Sequence, residues 1–102
     1  MEERYLEAHV YIKGDVIGMG FRAWTKIQAK LNEIKGWARN NHEQEDRFGV
    51  HGGIEAVFQG KESSVERMIS LVKEGPSIAH VDDVEVFWKE PKEIFEGFEI
   101  RK

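Results

Sequence analysis

From Gly14 to Arg22 the chain reads Gly-Asp-Val-Ile-Gly-Met-Gly-Phe-Arg, with three glycines among the first seven of these residues. Glycine tolerates positive φ, and a turn built that way brings successive backbone N–H groups into a concave nest suited to an anion. A helix opening at the far end of the turn adds unpaired amides and the positive end of its dipole. That dipole disfavours a cation in the first helical turn, so Arg22 makes electrostatic sense when an anion lies between it and the amides. Its planar fork also matches phosphate oxygens in a way that Lys does not. A plain glycine-rich connector, with Arg22 paired to a surface carboxylate, is the competing account. The turn has neither the Lys-Ser/Thr of a P-loop nor the spacing of the dinucleotide fingerprint.

Such a nest needs a strand before it and a helix after it, and the flanking sequence supplies both. Tyr5 to Lys13 is rich in strand formers. From Phe21 the period becomes helical, with Phe21, Trp24, Ile27, Gln28, Leu31 and Ile34 expected on the buried side and Gly36 as the stop. Trp37 to Asn40 and Ile54 to Gln59 read as strands, separated by a long polar stretch from Asn41 to Gly53. A second helix begins between Gly60 and Ser64, buries Val65, Met68, Ile69 and Val72, and ends at Gly75-Pro76. Ser63 and Glu66 fit a capping box there, and a start at Lys61 fits equally well. Ile78 to Lys89 holds a fourth strand, and a last short one is expected around Phe95 to Ile100.

The order β-α-β-β-α-β with a short C-terminal strand predicts an α+β, ferredoxin-like sandwich: one antiparallel sheet with two helices on one face. Phe21, Trp24, Leu31, Trp37 and Phe58 are expected in the core. The alternative for these aromatics is a stacking platform for single-stranded RNA. Trp88 is expected on a partly exposed sheet face, and His9 and His80 at structural or surface positions.

The 102 residues, 40% of them hydrophobic, suit one domain spanning 1–102. A formal charge of −4 weighs against a protein whose main task is gripping a nucleic-acid backbone. The absence of cysteine excludes disulfides, thiolate zinc sites and a cysteine nucleophile. No apolar run approaches a membrane span or a secretory h-region, which makes the cytoplasm the expected compartment. His42 and His51, with Glu43, Glu45 and Asp46, are read as solvated loop residues rather than metal ligands.

The longer string Gly14-x-Val16-x-Gly18-x-Gly20-Phe21-Arg22 resembles the acylphosphatase signature G-x-V-Q-G-V-x-F-R. Gly36-Trp37-Ala38-Arg39-Asn40 is similar to that family's G-W-V-R-N block, and Ile54-Glu55-Ala56-Val57-Phe58-Gln59-Gly60 to its V-E-A-x-x-Q-G block. Gly75-Pro76 and Phe98-Glu99-Ile100 also stand where the family has them. The resemblance implies hydrolysis of acyl phosphates to a carboxylate and inorganic phosphate, with no metal and no cofactor. It places Arg22 on the phosphate-binding arginine and Asn40 on the asparagine that positions the attacking water. The backbone amides of Ile17, Gly18, Met19, Gly20 and Phe21 fall on the phosphate cradle. The implied partners are a small acyl phosphate and inorganic phosphate, as product and inhibitor, with no nucleic acid and no membrane; a monomer is expected.

That assignment explains why no acid–base pair stands out. The leaving group is a carboxylate with a conjugate acid of pKa roughly 4, which departs unprotonated at neutral pH. Charge stabilisation and alignment of water remain to be done. Asn41 competes with Asn40, since neighbouring strand residues point to opposite faces and only one can face the site. The sequence departs from the pattern at Ile17 (usually Gln), at Met19 (usually Val) and in the length of Asn41–Gly53. Asp15 is expected to point outward. The long segment reads either as a lid or specificity loop that shields the cradle and narrows substrate choice, or as a solvated surface loop. A non-catalytic anion-binding module of the same fold and an RNA-binding ferredoxin-like domain are the other functions compatible with the pattern.

Overall fold

The computed structural model describes residues 3–102. Its elements are β1 (Tyr5–Asp15), α1 (Phe21–Leu31), β2 (Lys35–Asn41), α2 (Glu45–Phe48), β3 (Gly53–Lys61), α3 (Glu62–Glu74), β4 (His80–Lys89) and β5 (Phe98–Arg101). The five strands form one sheet in the order β4-β1-β3-β2-β5. Alternation along β1 buries Leu6, Ala8, Val10 and Ile12 under α1 and α3, and turns Glu7, His9, Tyr11 and Lys13 to the other face. β3 lies between β1 and β2 and is buried on both sides along almost its whole length.

The sheet is mixed, not wholly antiparallel as the sequence suggested: β5 runs parallel to β2. Residues 90–97 carry the chain from β4 at one edge to β5 at the other. Four strand spacings amount to about 19 Å, within the reach of roughly 26 Å for eight extended residues. Gln59, fully buried, pins this crossing, donating to the Glu93 carbonyl and to Glu7 and accepting from the Phe95 amide (3.0 Å). Because β1, β2 and β5 all run the same way, their carboxyl ends lie at one end of the sheet, beside the start of α1.

α3 buries Val65, Met68, Ile69 and Val72, as its spacing predicts. It starts at Glu62 without the Ser63–Glu66 box; the Glu3 carboxylate takes the Ser63 amide (2.9 Å) and hydroxyl (3.0 Å) instead. α1 departs further from expectation. Its buried line is Phe21, Thr25 and Ala29, while Ile27 and Leu31 are 58% and 73% exposed. Small residues at Thr25 and Ala29 allow a close approach to the sheet, and Thr25 Oγ1 is satisfied by the Phe21 carbonyl (2.8 Å). Ile34 is buried, but beyond the helix end.

Trp37 leaves the core for the open face, where the Arg101 guanidinium stacks on it at 4.8 Å. Trp88 is half-exposed and on the helix side of β4, in register with Ala8. The third helix, α2, also lies on the open face. Arg47 sits 4.1 Å above the Tyr11 ring, and Phe48 lies 5.9 Å from the same ring.

Candidate active site

β1 ends in a register shift at Lys13/Gly14, which lets the chain leave the sheet and turn toward α1. Val16 is buried and anchors the turn; Asp15, as expected, is exposed. Gly18 and Gly20 adopt left-handed φ of 82° and 79°, and open space surrounds the position of a Cβ at either. Glycine is therefore required there by backbone conformation and not by crowding. Phe21 is buried with its ring 5.4 Å from Trp24, fixing the first helical turn on the core. Among the described residues, the amides of Ile17, Gly18, Met19, Gly20 and Phe21 donate to no backbone carbonyl, and the first helical bond runs from Trp24 to Gly20 (2.9 Å). Five consecutive donors are thus left at the mouth of the turn, with the helix dipole behind them.

Arg22 borders these amides. Its Nη1 donates to the Arg101 carbonyl (3.1 Å), and no carboxylate lies within ion-pair distance among the described residues. The surface salt bridge of the competing account is absent there. A neutral carbonyl orients the guanidinium while leaving its charge available to an anion. The parallel pairing of β5 with β2 delivers that carbonyl, and Arg101 is held in turn by Trp37 and by Glu99 (3.2 Å).

The two asparagines separate as alternation requires, and the register says which goes where. Asn40 pairs with Ile54 and shares the helix face with it, at the same sheet end as the turn. Asn41 lies on the open face, 2% exposed, donating to Gln44 (2.8 Å) and Glu55 (3.0 Å) and accepting from the Glu43 amide (2.9 Å). Asn41 is consumed by structure; Asn40 lies on the helix face, at the sheet end where the turn begins.

Behind Asn40, on the open face, sits a group that motif reasoning left without a role. Glu55 is buried, and its carboxylate accepts from Arg39 Nε (2.9 Å), Arg39 Nη2 (2.7 Å), Asn41 Nδ2 (3.0 Å) and His9 Nε2 (2.6 Å). Burial pushes its pKa up, but the hydrogen bonds from His9, Arg39 and Asn41 and the Arg39 charge outweigh burial and hold it below the usual carboxylate value. The cluster ties β1, β3 and the end of β2 together beneath Asn40. The sequence signal was a lone carboxylate inside a mainly apolar strand whose other polar residues are Gln59 and the terminal Lys61.

The Asn41–Gly53 segment neither floats free nor carries its helix across the nest. α2 turns to the open face, where Arg47 also reaches Glu85 (3.1 Å). Its return limb runs beside the turn, and Phe48, Gly49, His51 and Gly52 share a cavity with Asp15, Val16 and Ile17. Among the described residues no three His, Asp or Glu side chains converge on a common point.

At one sheet end, then, five free amides and a guanidinium can hold a dianion, and an amide side chain on the same face can orient a water beside it. The family model for acylphosphatase matches residues 8–100. An acylphosphatase from Chloroflexus aurantiacus is 43% identical over 84% of this chain and 85% of its own. One from Haloquadratum walsbyi is 38% identical over the full length of both. The crystal structure of the Bacillus subtilis acylphosphatase superposes with a TM-score of 0.84 at 25% identity, covering 95% of this chain and 99% of that one.

Proposed function

The chain belongs to the acylphosphatase family and hydrolyses acyl phosphates to a carboxylate and inorganic phosphate; we propose that Arg22, Asn40 and the amides of Ile17 to Phe21 carry out that reaction. The observation that supports the assignment is the position of Arg22, oriented by the Arg101 carbonyl beside five undonated amides, with Asn40 on the same face and at the same sheet end.

The amides and the guanidinium bind the non-bridging oxygens of the phosphoryl group and stabilise the charge it carries in the transition state. The Asn40 carbonyl accepts a hydrogen bond from a water and holds it in line with the P–O bond to the acyl group. That bond breaks as the water oxygen attacks phosphorus. The carboxylate leaves without needing a proton, and the water's proton passes to solvent or to the phosphate product. Asn40 positions the water and takes no proton itself.

Hydrolysis of benzoyl phosphate by the wild type, Arg22→Ala and Asn40→Ala tests the assignment. Arg22→Ala is expected to raise KM and to lower kcat/KM by about 10²–10³-fold, the usual effect of losing one preorganised donor. Asn40→Ala is expected to lower kcat with KM nearly unchanged. Wild-type kinetics in both variants would overturn it. Inorganic phosphate is proposed as an inhibitor held in the same nest, so it should raise the melting temperature of the wild type and not of Arg22→Ala. Nothing at the site favours a non-catalytic anion-binding module.

The remaining features of this proposal are a single domain over residues 1–102 that acts as a cytoplasmic monomer without a nucleic-acid partner. The formal charge of −4 supports the last point. Among the described residues no helix is long and apolar enough to cross a membrane.

A further inference from the structure

The two places where the sequence departs most from the family pattern meet in space. Ile17 stands where the family usually has Gln, and Phe48 belongs to the long segment after Asn40. Both line the cavity at the β1–β4 side of the turn. Ile17 therefore belongs both to the run of undonated amides and to the lining of this cavity, with its side chain partly buried against the core. Val16 adds a third apolar wall.

Phe48 is a fixed wall. Its ring lies 5.9 Å from that of Tyr11 and occupies the space a side chain at position 53 would take, with a ring carbon 2.6 Å from where the Gly53 Cβ would be. Of the charged groups at the rim, Lys13 pairs with Glu85 (2.9 Å) and more distantly with Asp83 (3.9 Å), Arg47 with Glu85 (3.1 Å) and Asp82 with His80 (3.1 Å), while Asp15 and His51 make no ion pair among the described residues. The apolar side chains the cavity offers a ligand are those of Ile17 and Phe48, with Val16 behind them.

Its direction follows from the sheet order. Asn40 sits on β2, two strand spacings or about 10 Å from β1. An in-line displacement puts the leaving oxygen opposite the attacking water. With the water on the Asn40 side of the nest, the acyl group points toward β1 and β4, where the cavity opens beside Ile17.

Building on the catalytic assignment above, we infer that this cavity is the acyl-recognition subsite, and that Ile17 and Phe48 select acyl phosphates with a bulky apolar acyl group, aryl or branched, over acetyl phosphate. The test compares kcat/KM for benzoyl phosphate with that for acetyl phosphate in the wild type, Phe48→Ala and Ile17→Gln, with Arg22→Ala alongside. The benzoyl-to-acetyl ratio is expected to fall about 10-fold in Phe48→Ala, the scale of discrimination for a lost apolar contact. The loss should appear in the KM for benzoyl phosphate. Ile17→Gln should lower the ratio in the same direction, which covers the case in which Phe48→Ala loosens the segment. An unchanged ratio in both variants, while Arg22→Ala lowers kcat/KM for both substrates by about 10²–10³-fold as expected, would overturn the subsite and leave the catalytic assignment standing. Undiminished hydrolysis of both substrates by Arg22→Ala would overturn the assignment itself.

Discussion

Replacing Asn40 and Asn41 by alanine, one at a time, separates chemistry from stability across a single peptide bond. Asn41 is buried with three hydrogen bonds, one of them to the Glu55 carboxylate. A hydrogen bond to a charged group contributes about 1.5–3 kcal/mol and a neutral one about 0.5–1.5 kcal/mol. Arg39 and His9 still hold Glu55, and the Glu43 amide can turn to water, so the expected cost of Asn41→Ala is about 3 kcal/mol. For a domain of this size that lowers the melting temperature by roughly 12–24 °C. Asn40 contributes its side chain to the helix face at the nest, so Asn40→Ala should shift the midpoint by no more than a few degrees, within the ±0.5 kcal/mol typical of sites outside the core. Its effect should fall on kcat. Differential scanning calorimetry of the three proteins, with benzoyl phosphate kinetics well below the lowest midpoint, measures both quantities. A large fall in kcat for Asn41→Ala with full activity in Asn40→Ala would refute the face assignment that the β2–β3 register supports.

Arg22→Lys keeps the charge but loses the fork, so it should recover only part of the activity lost in Arg22→Ala and show weaker protection by phosphate in thermal melts. Glu55 has its pKa lowered by folding, so its contribution to stability is present above the unfolded carboxylate pKa of about 4.3 and is lost as pH falls through the folded value. Urea unfolding from pH 7 to pH 2 should therefore show wild type steeper than Glu55→Gln below about pH 5, with the two curves converging at the acid end. Gly20→Ala puts a Cβ at a left-handed φ of 79° with no steric contact, a cost of about 1–2 kcal/mol. If the backbone relaxes to avoid it the nest opens, and phosphate inhibition should weaken more than the melting temperature falls.

The polar cluster on the open face bears on how the strand carrying Asn40 is held. Glu55 accepts bonds from residues of β1 and β2 while itself standing on β3. A hydrophobic core fills the helix side of the same strands, and a saturated carboxylate locks the other. Removing any one donor leaves a buried charge less well satisfied, which is costlier than the net value of the bond it made. The end of β2 is thus fixed from behind, on the face opposite Asn40.

Much was legible before any fold was known, because it is written in short-range pattern. The glycines that permit the left-handed turn, the arginine in the first helical turn, the Val65–Met68–Ile69–Val72 stripe and the alternation of β1 all depend on neighbours a few residues apart. Even the opposition of Asn40 and Asn41 follows from the two-residue period of a strand. Which of them lies on the helix face does not, because it depends on Asn40 meeting Ile54 across a ladder. The parallel run of β5, the carbonyl it presents to Arg22, the exposure of Ile27 and Leu31, and the turning of α2 onto Tyr11 arise from contacts between distant segments. Local residue types name the chemistry here; the pairing of remote strands decides which atoms share a face, since that free energy exists only once both partners are in place.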